Sequence, residues 1–260
     1  MDRDRALGWI GRWDAQQEWY MPDREERFTV LIDAVEAGAG RDDPVVLDLG
    51  CGPGSLAVRL LDRIPAARVV AVDTDPLLLA LGRAAYGDRA GLRFVDQDLR
   101  RPGWAGALGL AAPVDVAVST TALHWLGARQ LRAMYAELAT VLRPGGLMLD
   151  GDHLTEDESA VPVLARLGDV VSERATRRRL AGRERHDEDW TAWWEAATTD
   201  PELAGPAAER ERRGLSEDHH GSESVLLVQH VAALRAAGFA EIGTLWQYGE
   251  NRILCAVTPG

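Results

Sequence analysis

The sequence predicts an α/β fold with a mostly parallel sheet. Short apolar segments alternate with helical segments between residues 45 and 150, and each apolar segment ends at an acidic or small residue. Strands that alternate with helices in this way are typical of parallel βα units. Two further apolar segments flank Gly249-Glu250-Asn251 and predict an antiparallel hairpin. With 260 residues, 46% of them hydrophobic, the chain is long enough to bury a full core.

The first predicted elements are two helices within residues 2–38. Trp9, Trp13 and Tyr20 recur at helical spacing on one face of the first helix. A break at Met21-Pro22-Asp23 separates the two helices, because proline favours the first turn of a new helix. An aromatic stripe of this kind is more often packed against a domain than used to hold a ligand.

The first predicted strand, residues 45–49, reads VVLDL and leads into a loop with three glycines. Gly50, Gly52 and Gly54 lack a Cβ atom, so the loop can place backbone amides against a ligand at the start of the next helix. The spacing G-x-G-x-G differs from the G-x-G-x-x-G of dinucleotide-binding loops. Asp48 would also repel a pyrophosphate, whereas its carboxylate suits a cationic ligand. A nicotinamide oxidoreductase is therefore disfavoured.

The stretch D-L-G-C-G-P-G at residues 48–54 resembles motif I of the class I S-adenosylmethionine-dependent methyltransferases. The resemblance implies a Rossmann-like sheet of seven strands, mostly parallel, in which the last strand of an antiparallel C-terminal hairpin lies beside strand five. It also implies S-adenosylmethionine as the cofactor, which is cationic at its methionine end. The candidate contacts of that end are Asp48, Gly50, Cys51 and Gly52.

Strand two is predicted at Arg68–Asp73, and Asp73 lies 23 residues after Gly50. A carboxylate at the end of this strand is well placed to accept hydrogen bonds from both ribose hydroxyls. The alternative is that Asp73 caps the helix that begins near Pro76. Its position matches the acidic motif II of the resembled family, which favours the ribose role. Thr74, the next residue, is a further candidate cofactor contact.

Strand three, predicted at Leu92–Val95, is followed by the turn D-Q-D-L at residues 96–99. In the resembled family, an acid at this place hydrogen-bonds the adenine amino group, and the next backbone amide meets the ring. Asp98 and Leu99 fit these two roles best, with Asp96 as the alternative acid. An aspartate that is merely solvated in a loop is the other interpretation.

Strand four is predicted at Val114–Ser119 and is followed by T-T-A-L-H-W-L at residues 120–126. This stretch lacks the Asn/Asp-Pro-Pro-Tyr/Phe signature by which many methyltransferases hold a base amine or a glutamine amide. It resembles the stretch that follows strand four in small-molecule and lipid methyltransferases. In those enzymes the end of strand four borders the methionine portion of the cofactor, so Thr120 is a candidate contact. His124 is either a base near the methyl group or a packed residue with one satisfied nitrogen.

Strand five is predicted at residues 147–150, after an amphipathic helix at residues 128–142. His153 is expected just beyond this strand, beside Asp152, at the cofactor mouth. A base with a pKa near the working pH would help an oxygen or nitrogen acceptor to react. His153 is therefore the first candidate base, and His124 is the second.

A metal site is the alternative use of these histidines. Asp152, His153, His219 and His220 supply the oxygen and nitrogen donors that a transition metal accepts. Adjacent histidines such as the last two rarely bind one ion together. The sequence therefore predicts no metal.

The chain is expected to divide into four segments. They are an N-terminal helical lid (1–40), a cofactor-binding core (41–150), a helical insertion that covers the acceptor (151–217), and a C-terminal helix and hairpin that complete the core (218–260). In the resembled family, a leading helical pair commonly closes over the cofactor and the acceptor. The resemblance therefore makes Tyr20, Arg24 and Arg27 candidate contacts of the cofactor or the acceptor.

Composition limits the partners that we expect. The formal net charge is −12 and every basic residue is an arginine, so no basic face for nucleic acid or anionic lipid is expected. The two cysteines are Cys51 and Cys255, and no long apolar run lies near residue 1. We therefore expect a reduced, cytoplasmic protein with no nucleic-acid or membrane partner. A homodimer is left open.

The resemblance implies a methyltransferase that acts on an oxygen or nitrogen atom of a small-molecule acceptor. The insertion would select this acceptor, but its residues match no known pattern. Two alternatives stay open. One is a protein that binds S-adenosylmethionine without catalysis, and the other is an enzyme that transfers another group from the same cofactor.

Overall fold

The computed structural model describes residues 1–21, 23–181, 188–215 and 225–260. The strands in these ranges are β1 (Val45–Leu49), β2 (Arg68–Asp73), β3 (Leu92–Asp96), β4 (Val114–Thr120), β5 (Leu142–His153), β6 (Glu241–Tyr248) and β7 (Asn251–Val257). The α-helices are α1 (Arg3–Tyr20), α2 (Arg24–Ala39), α3 (Ser55–Arg63), α4 (Pro76–Tyr86), α5 (Trp104–Ala107), α6 (Ala128–Val141), α7 (Pro162–Leu180), α8 (Trp190–Thr199), α9 (Ala204–Arg212) and α10 (Leu227–Ala236).

These strands form one seven-stranded sheet in the order β3-β2-β1-β4-β5-β7-β6. Strands β1 to β5 are parallel, and β7 is antiparallel to both β5 and β6. The predicted fold is confirmed, including the last strand beside strand five. Because the strand order reverses between β1 and β4, a crevice opens at their carboxyl ends, where open α/β sheets bind ligands.

The observed strand bounds differ most from the predicted ones at β5. This strand begins at Leu142 and reaches His153, whereas the sequence predicted only residues 147–150. Its longer end is explained by β7, which pairs with β5 as far as His153 opposite Asn251. Asp152 and His153 therefore belong to the sheet itself and not to a loop beyond it.

Helices cover both faces of the sheet. One face packs on α5, α6 and α10 through the buried side chains of Trp104, Tyr135 and Leu234. The other face packs on α2 and α3, where Phe28 and Leu60 are buried. Burying one large apolar side chain contributes roughly 1.5–3 kcal/mol, so these two layers hold the strand ends firmly. Of the helices within the described ranges, none combines the length and the apolar character that crossing a bilayer requires.

A third apolar cluster joins α1 to α4 and α8. Trp9 and Trp13 of α1 pack against Trp193 of α8, with ring centroids 5.8 and 4.9 Å apart. Leu77 and Leu81 of α4 lie in the same cluster. The two leading helices therefore differ, because α2 belongs to a layer of the sheet and α1 packs outside it on α4.

Candidate active site

A cleft of about 1490 Å³ opens at the carboxyl ends of β1, β2, β4 and β5. Its wall includes the glycine loop after β1, the ends of β2 and β4, and parts of α1, α8 and α9. Pockets for one small ligand usually measure about 300–1,000 Å³. The cleft therefore has room for a cofactor together with an acceptor.

The glycine loop is fastened to the end of β2. The backbone amides of Gly50 and Cys51 donate to the carbonyl oxygen of Val72, at 2.8 and 3.0 Å. Gly50 has φ +72°, and a Cβ atom at this position would lie 2.3 Å from the Cβ of Ala122. The loop thus needs glycine for its conformation and for its close approach to the turn after β4.

Asp73 joins the loop after β1 to the loop after β2 on the wall of the cleft. Its Oδ2 accepts a hydrogen bond from the amide of Gly52 at 2.7 Å, and its Oδ1 accepts one from the amide of Asp75 at 2.8 Å. Burial raises the pKa of Asp73 to about 6. Each carboxylate oxygen keeps a further lone pair for a hydroxyl group. The helix-capping role falls to Asp75, whose Oδ1 accepts from the amides of Leu77 and Leu78 at the start of α4.

The turn after β3 places Asp98 and Leu99 on the wall of the cleft. Burial disfavours the charged form of Asp98, but hydrogen bonds from the side chain and the backbone of Arg100 outweigh it and lower the pKa. Asp96 instead forms an ion pair with Arg213 and does not line the cleft. Of the two predicted acids, Asp98 is the one that faces the cleft.

Two predicted cofactor contacts, Asp48 and Arg27, do not line the cleft. Asp48 lies in the central strand β1 and is enclosed by the strands and helices around it. Arg27 is fully buried between α2 and β5, where its Nη1 donates to Oδ1 of Asn251 at 2.9 Å. Burial lowers the pKa of Arg27 to about 10. Arg24, one helical turn earlier, is the arginine of α2 that borders the cleft.

Replacing Asp48 by asparagine is expected to stabilise the cofactor-free protein above about pH 7. The side chain of Asp48 is fully buried, and burial, followed by the charge of Asp73, raises the pKa of Asp48 from 3.8 to about 7. A carboxyl group whose pKa is raised by folding destabilises the folded state as pH rises from the unfolded to the folded value. Thermal melts should show Asp48→Asn roughly 3 °C or more above wild type near pH 8, with the gap closing towards pH 4. A gap that is the same at all pH values would contradict this account.

His124 and Asp152 form a hydrogen-bonded pair on the wall of the cleft. His124 lies in the 3-10 turn Leu123–Trp125 after β4, and its Nδ1 is 2.8 Å from Oδ2 of Asp152 at the end of β5. Burial lowers the pKa of His124, but the charge and the hydrogen bond of Asp152 outweigh it, so the pKa is raised from 6.5. Burial disfavours the charged form of Asp152, but the charge and the hydrogen bond of His124 outweigh it, so the pKa of Asp152 falls to about 2. Because Nδ1 faces Asp152, Nε2 is the nitrogen available to a ligand.

His153, the first candidate base in the sequence, is placed differently. Its side chain lines the cleft, but only its backbone amide reaches Asp152, donating to Oδ1 at 2.8 Å. His153 is exposed to solvent, but the protein atoms around it disfavour its charged form and lower its pKa. The geometry therefore favours His124 as the candidate base, because a paired carboxylate orients its ring.

The residues of the alternative metal site are only partly described. His219 and His220 lie outside the described residues. Within the ranges that are described, no three histidine, cysteine or acidic side chains come close enough together to hold a metal ion.

A second carboxyl group, that of Asp150, lies two residues before Asp152 on the same face of β5. Burial, together with the charge of Asp152, raises the pKa of Asp150 well above its usual value. Nδ1 of His230 lies 3.4 Å from Oδ2 of Asp150 and 2.9 Å from the hydroxyl of Tyr135. Burial lowers the pKa of His230 to about 4. Asp150 and His230 thus face each other in the interior, where burial disfavours the charged form of each.

Several wall residues had no assigned role in the sequence. Trp13 of α1 and Trp190 and Trp194 of α8 line the cleft. Tyr20, which was a predicted contact, lines it as well and is half exposed. The helical spacing of the tryptophans predicted both helices, but not which face would meet the cleft. Arg210 of α9 had no sequence signal, because it lies among many other charged residues.

The polar groups that line this cleft fit a cationic nucleoside ligand. The glycine loop offers bare backbone, and Asp73 and Asp98 offer carboxylates at the ends of β2 and β3. Thr120, at the end of β4, has a buried hydroxyl with no hydrogen-bond partner among the described residues. Cys51 and Thr74 complete the predicted contacts that border the cleft. An adenosyl group and a sulfonium-bearing methionine arm need these kinds of partner.

Residues 46–146 match a family described as methyltransferase domains. The chain is 35% identical over 136 residues to a trans-aconitate 2-methyltransferase of Azoarcus sp. (strain BH72), covering 52% of this chain and 49% of the relative. It is 32% identical over 183 residues to a protein of the same name from Streptomyces coelicolor, covering 68% of this chain and 55% of the relative. The chain thus spans about half the length of the curated relatives it matches.

Solved methyltransferases share the fold. Human N-acetylserotonin methyltransferase, in complex with its cofactor, aligns with a TM-score of 0.54 at 14% identity, covering 95% of this chain and 54% of that one. The N-methyltransferase NodS of Bradyrhizobium japonicum WM9 aligns with a TM-score of 0.51 at 16% identity, covering 92% and 98%. Because the glycine loop, the strand order and the family match agree over the same residues, residues 46–146 form a class I S-adenosylmethionine-dependent methyltransferase domain.

Proposed function

We propose that the protein transfers a methyl group from S-adenosylmethionine to an oxygen or nitrogen atom of a small molecule. The observation that carries the proposal is the His124–Asp152 pair, which borders the same cleft as the glycine loop and Asp73. A base and a cofactor site in one cleft are what such a transfer needs.

Each part of the cofactor has a proposed partner in this cleft. Asp73 holds the ribose, Asp98 and the amide of Leu99 hold the adenine, and residues 50–52 hold the methionine arm. Thr74 and Thr120 border the same ligand. When bound, the cofactor supplies a methyl group that its sulfonium makes electrophilic.

His124 acts as the general base in this proposal. Nε2 takes the proton from the acceptor hydroxyl or amine, while Nδ1–H stays hydrogen-bonded to Asp152. The carboxylate stabilises the imidazolium that forms and fixes the orientation of the ring. Trp13, Trp190 and Trp194 exclude water from the cofactor side of the cleft.

The presence of a general base also limits which classes of molecule we propose as the methyl acceptor. The curated relatives are named for trans-aconitate, and a carboxylate acceptor is already ionised near neutral pH, so it needs no base. The arginines that line the cleft are each paired with an acid: Arg24 with Asp14, Arg100 with Asp98 and Arg210 with Asp75. We therefore propose a hydroxyl or amine acceptor in preference to a polycarboxylate.

Mass spectrometry of reaction products tests this function. The purified protein is incubated with S-adenosylmethionine and with panels of phenols, amines and carboxylic acids, trans-aconitate included. We expect a product about 14 Da heavier than a hydroxyl or amine acceptor, together with S-adenosylhomocysteine. Methylation of carboxylic acids alone would overturn the proposed acceptor class. Another mass gain would show transfer of a different group, and tight cofactor binding without any product would indicate a non-catalytic protein.

A further inference from the structure

Helix α9, which follows α8 in the chain, is attached to the loop after β2 by Arg210. The guanidinium Nε of Arg210 lies 2.7 Å from Oδ2 of Asp75, and Nη2 donates to the carbonyl oxygen of Leu215 at 3.2 Å. The guanidinium carbon lies 3.9 Å from the centre of a ring of Trp194. Only 6% of Arg210 is exposed, so this ion pair is poorly screened by solvent.

A second arginine, Arg213 at the end of α9, reaches two loops at once. Its Nη1 and Nη2 donate to the two carboxylate oxygens of Asp96 at 2.7 and 2.8 Å. Nη1 also donates to the carbonyl oxygen of Thr74 at 3.0 Å. Two-point pairing of this kind between arginine and a carboxylate is strong and directional.

The partners of these arginines flank the proposed cofactor contacts. Thr74 and Asp75 directly follow Asp73, and Asp96 lies two residues before Asp98. Arg210 itself lines the cleft. The far end of α9 therefore touches the loops that would hold the ribose and the adenine, although it comes from a different part of the chain.

We propose that Arg210 and Arg213 are positioning residues that hold α9 against the loops after β2 and β3 and thereby slow release of the cofactor. The proposal rests on the cofactor assignment made under the proposed function. Both arginines act through other groups, since Asp73 and Asp98 are the residues assigned to contact the ligand. Removing either arginine frees one attachment of α9 and leaves those contacts in place.

The release rate of S-adenosylhomocysteine, followed by tryptophan fluorescence in a stopped-flow instrument, tests the proposal. Trp13, Trp190 and Trp194 in the cleft wall provide the signal. Arg213→Ala should release the ligand about five- to tenfold faster than wild type at low salt. Arg212→Ala is the matched control, because it removes the same charge from α9 at an exposed position. Arg212 pairs with Glu209, which also pairs with Arg213, but the change leaves the bonds of Arg213 to Asp96 and Thr74 in place. Release from Arg212→Ala should stay within about twofold of wild type.

Salt separates positioning by Arg213 from a general loss of structure. The Arg213 pair is partly exposed, so about 1 M salt should speed release from wild type and narrow its difference from Arg213→Ala. Arg210→Lys, which keeps the charge but loses the flat contact with Trp194, should give an intermediate rate. Equal release rates for Arg213→Ala and Arg212→Ala would overturn this inference and leave the cofactor assignment intact. If wild type does not bind the ligand, the cofactor assignment itself fails.

Discussion

Replacing Asp73 by alanine is expected to weaken binding of S-adenosylhomocysteine by about 100-fold or more. The change removes the acceptor assigned to the ribose hydroxyls, and hydrogen bonds to a charged group contribute about 1.5–3 kcal/mol each. It also leaves the amides of Gly52 and Asp75 without their partner, so two cofactor loops lose their shared anchor. Isothermal titration calorimetry measures the loss directly.

Asp62→Ala is the control for the Asp73 variant, because Asp62 is an exposed carboxylate that pairs with Arg89 on the surface. Its affinity for S-adenosylhomocysteine should match that of wild type. Thermal melts establish that both variants are folded at the temperature of the titration. Unchanged affinity in a folded Asp73→Ala protein would remove the assignment of Asp73 to the ribose.

Replacing His124 by alanine is expected to lower kcat about 10²- to 10⁴-fold, the usual contribution of a general base. Affinity for S-adenosylhomocysteine should stay close to that of wild type, because His124 is assigned to the acceptor. The wild-type rate should rise with pH through the raised pKa of His124, since only the neutral imidazole accepts a proton. Rates with the acceptor found by product analysis, measured over a range of pH, provide the test.

The variants Asp152→Asn and His153→Ala test which of the two histidines, His124 or His153, acts as the general base. Without the charge of Asp152, the pKa of His124 should fall, so the rise in rate moves to lower pH while the maximum rate drops. His153→Ala should keep its rate within about threefold of wild type, because no side-chain bond ties His153 to Asp152. A large loss in His153→Ala with little loss in His124→Ala would restore the order predicted from sequence.

The sequence predicted the sheet well because its signals are local. Apolar strands, the glycine loop and the period of α6 each depend on residues within one segment, and β2 has the predicted bounds. The carboxyl end of β5 depends on pairing with β7, whose residues lie far along the chain, and its start at Leu142 depends on pairing with β4. A local sequence pattern does not reveal pairing with a distant segment, so the strand predicted at residues 147–150 was too short.

The candidate site was predicted less completely, for a related reason. Strand-end positions such as Asp73 and Asp98 follow from the register of the βα units, and both border the cleft. Asp48 and Arg27 carry suitable charges, but burial by neighbouring elements decides where their side chains lie. The pairing of His124 with Asp152 joins residues 28 positions apart and needed the parallel contact between β4 and β5.

During synthesis, β5 leaves the ribosome roughly 100 residues before β7, an interval of about 5–20 s at common translation rates. Until β7 arrives, the outer edge of β5 has no neighbour, and an open strand edge invites pairing with other chains. Translation that stops between these strands would therefore produce an aggregation-prone fragment and not a weaker enzyme.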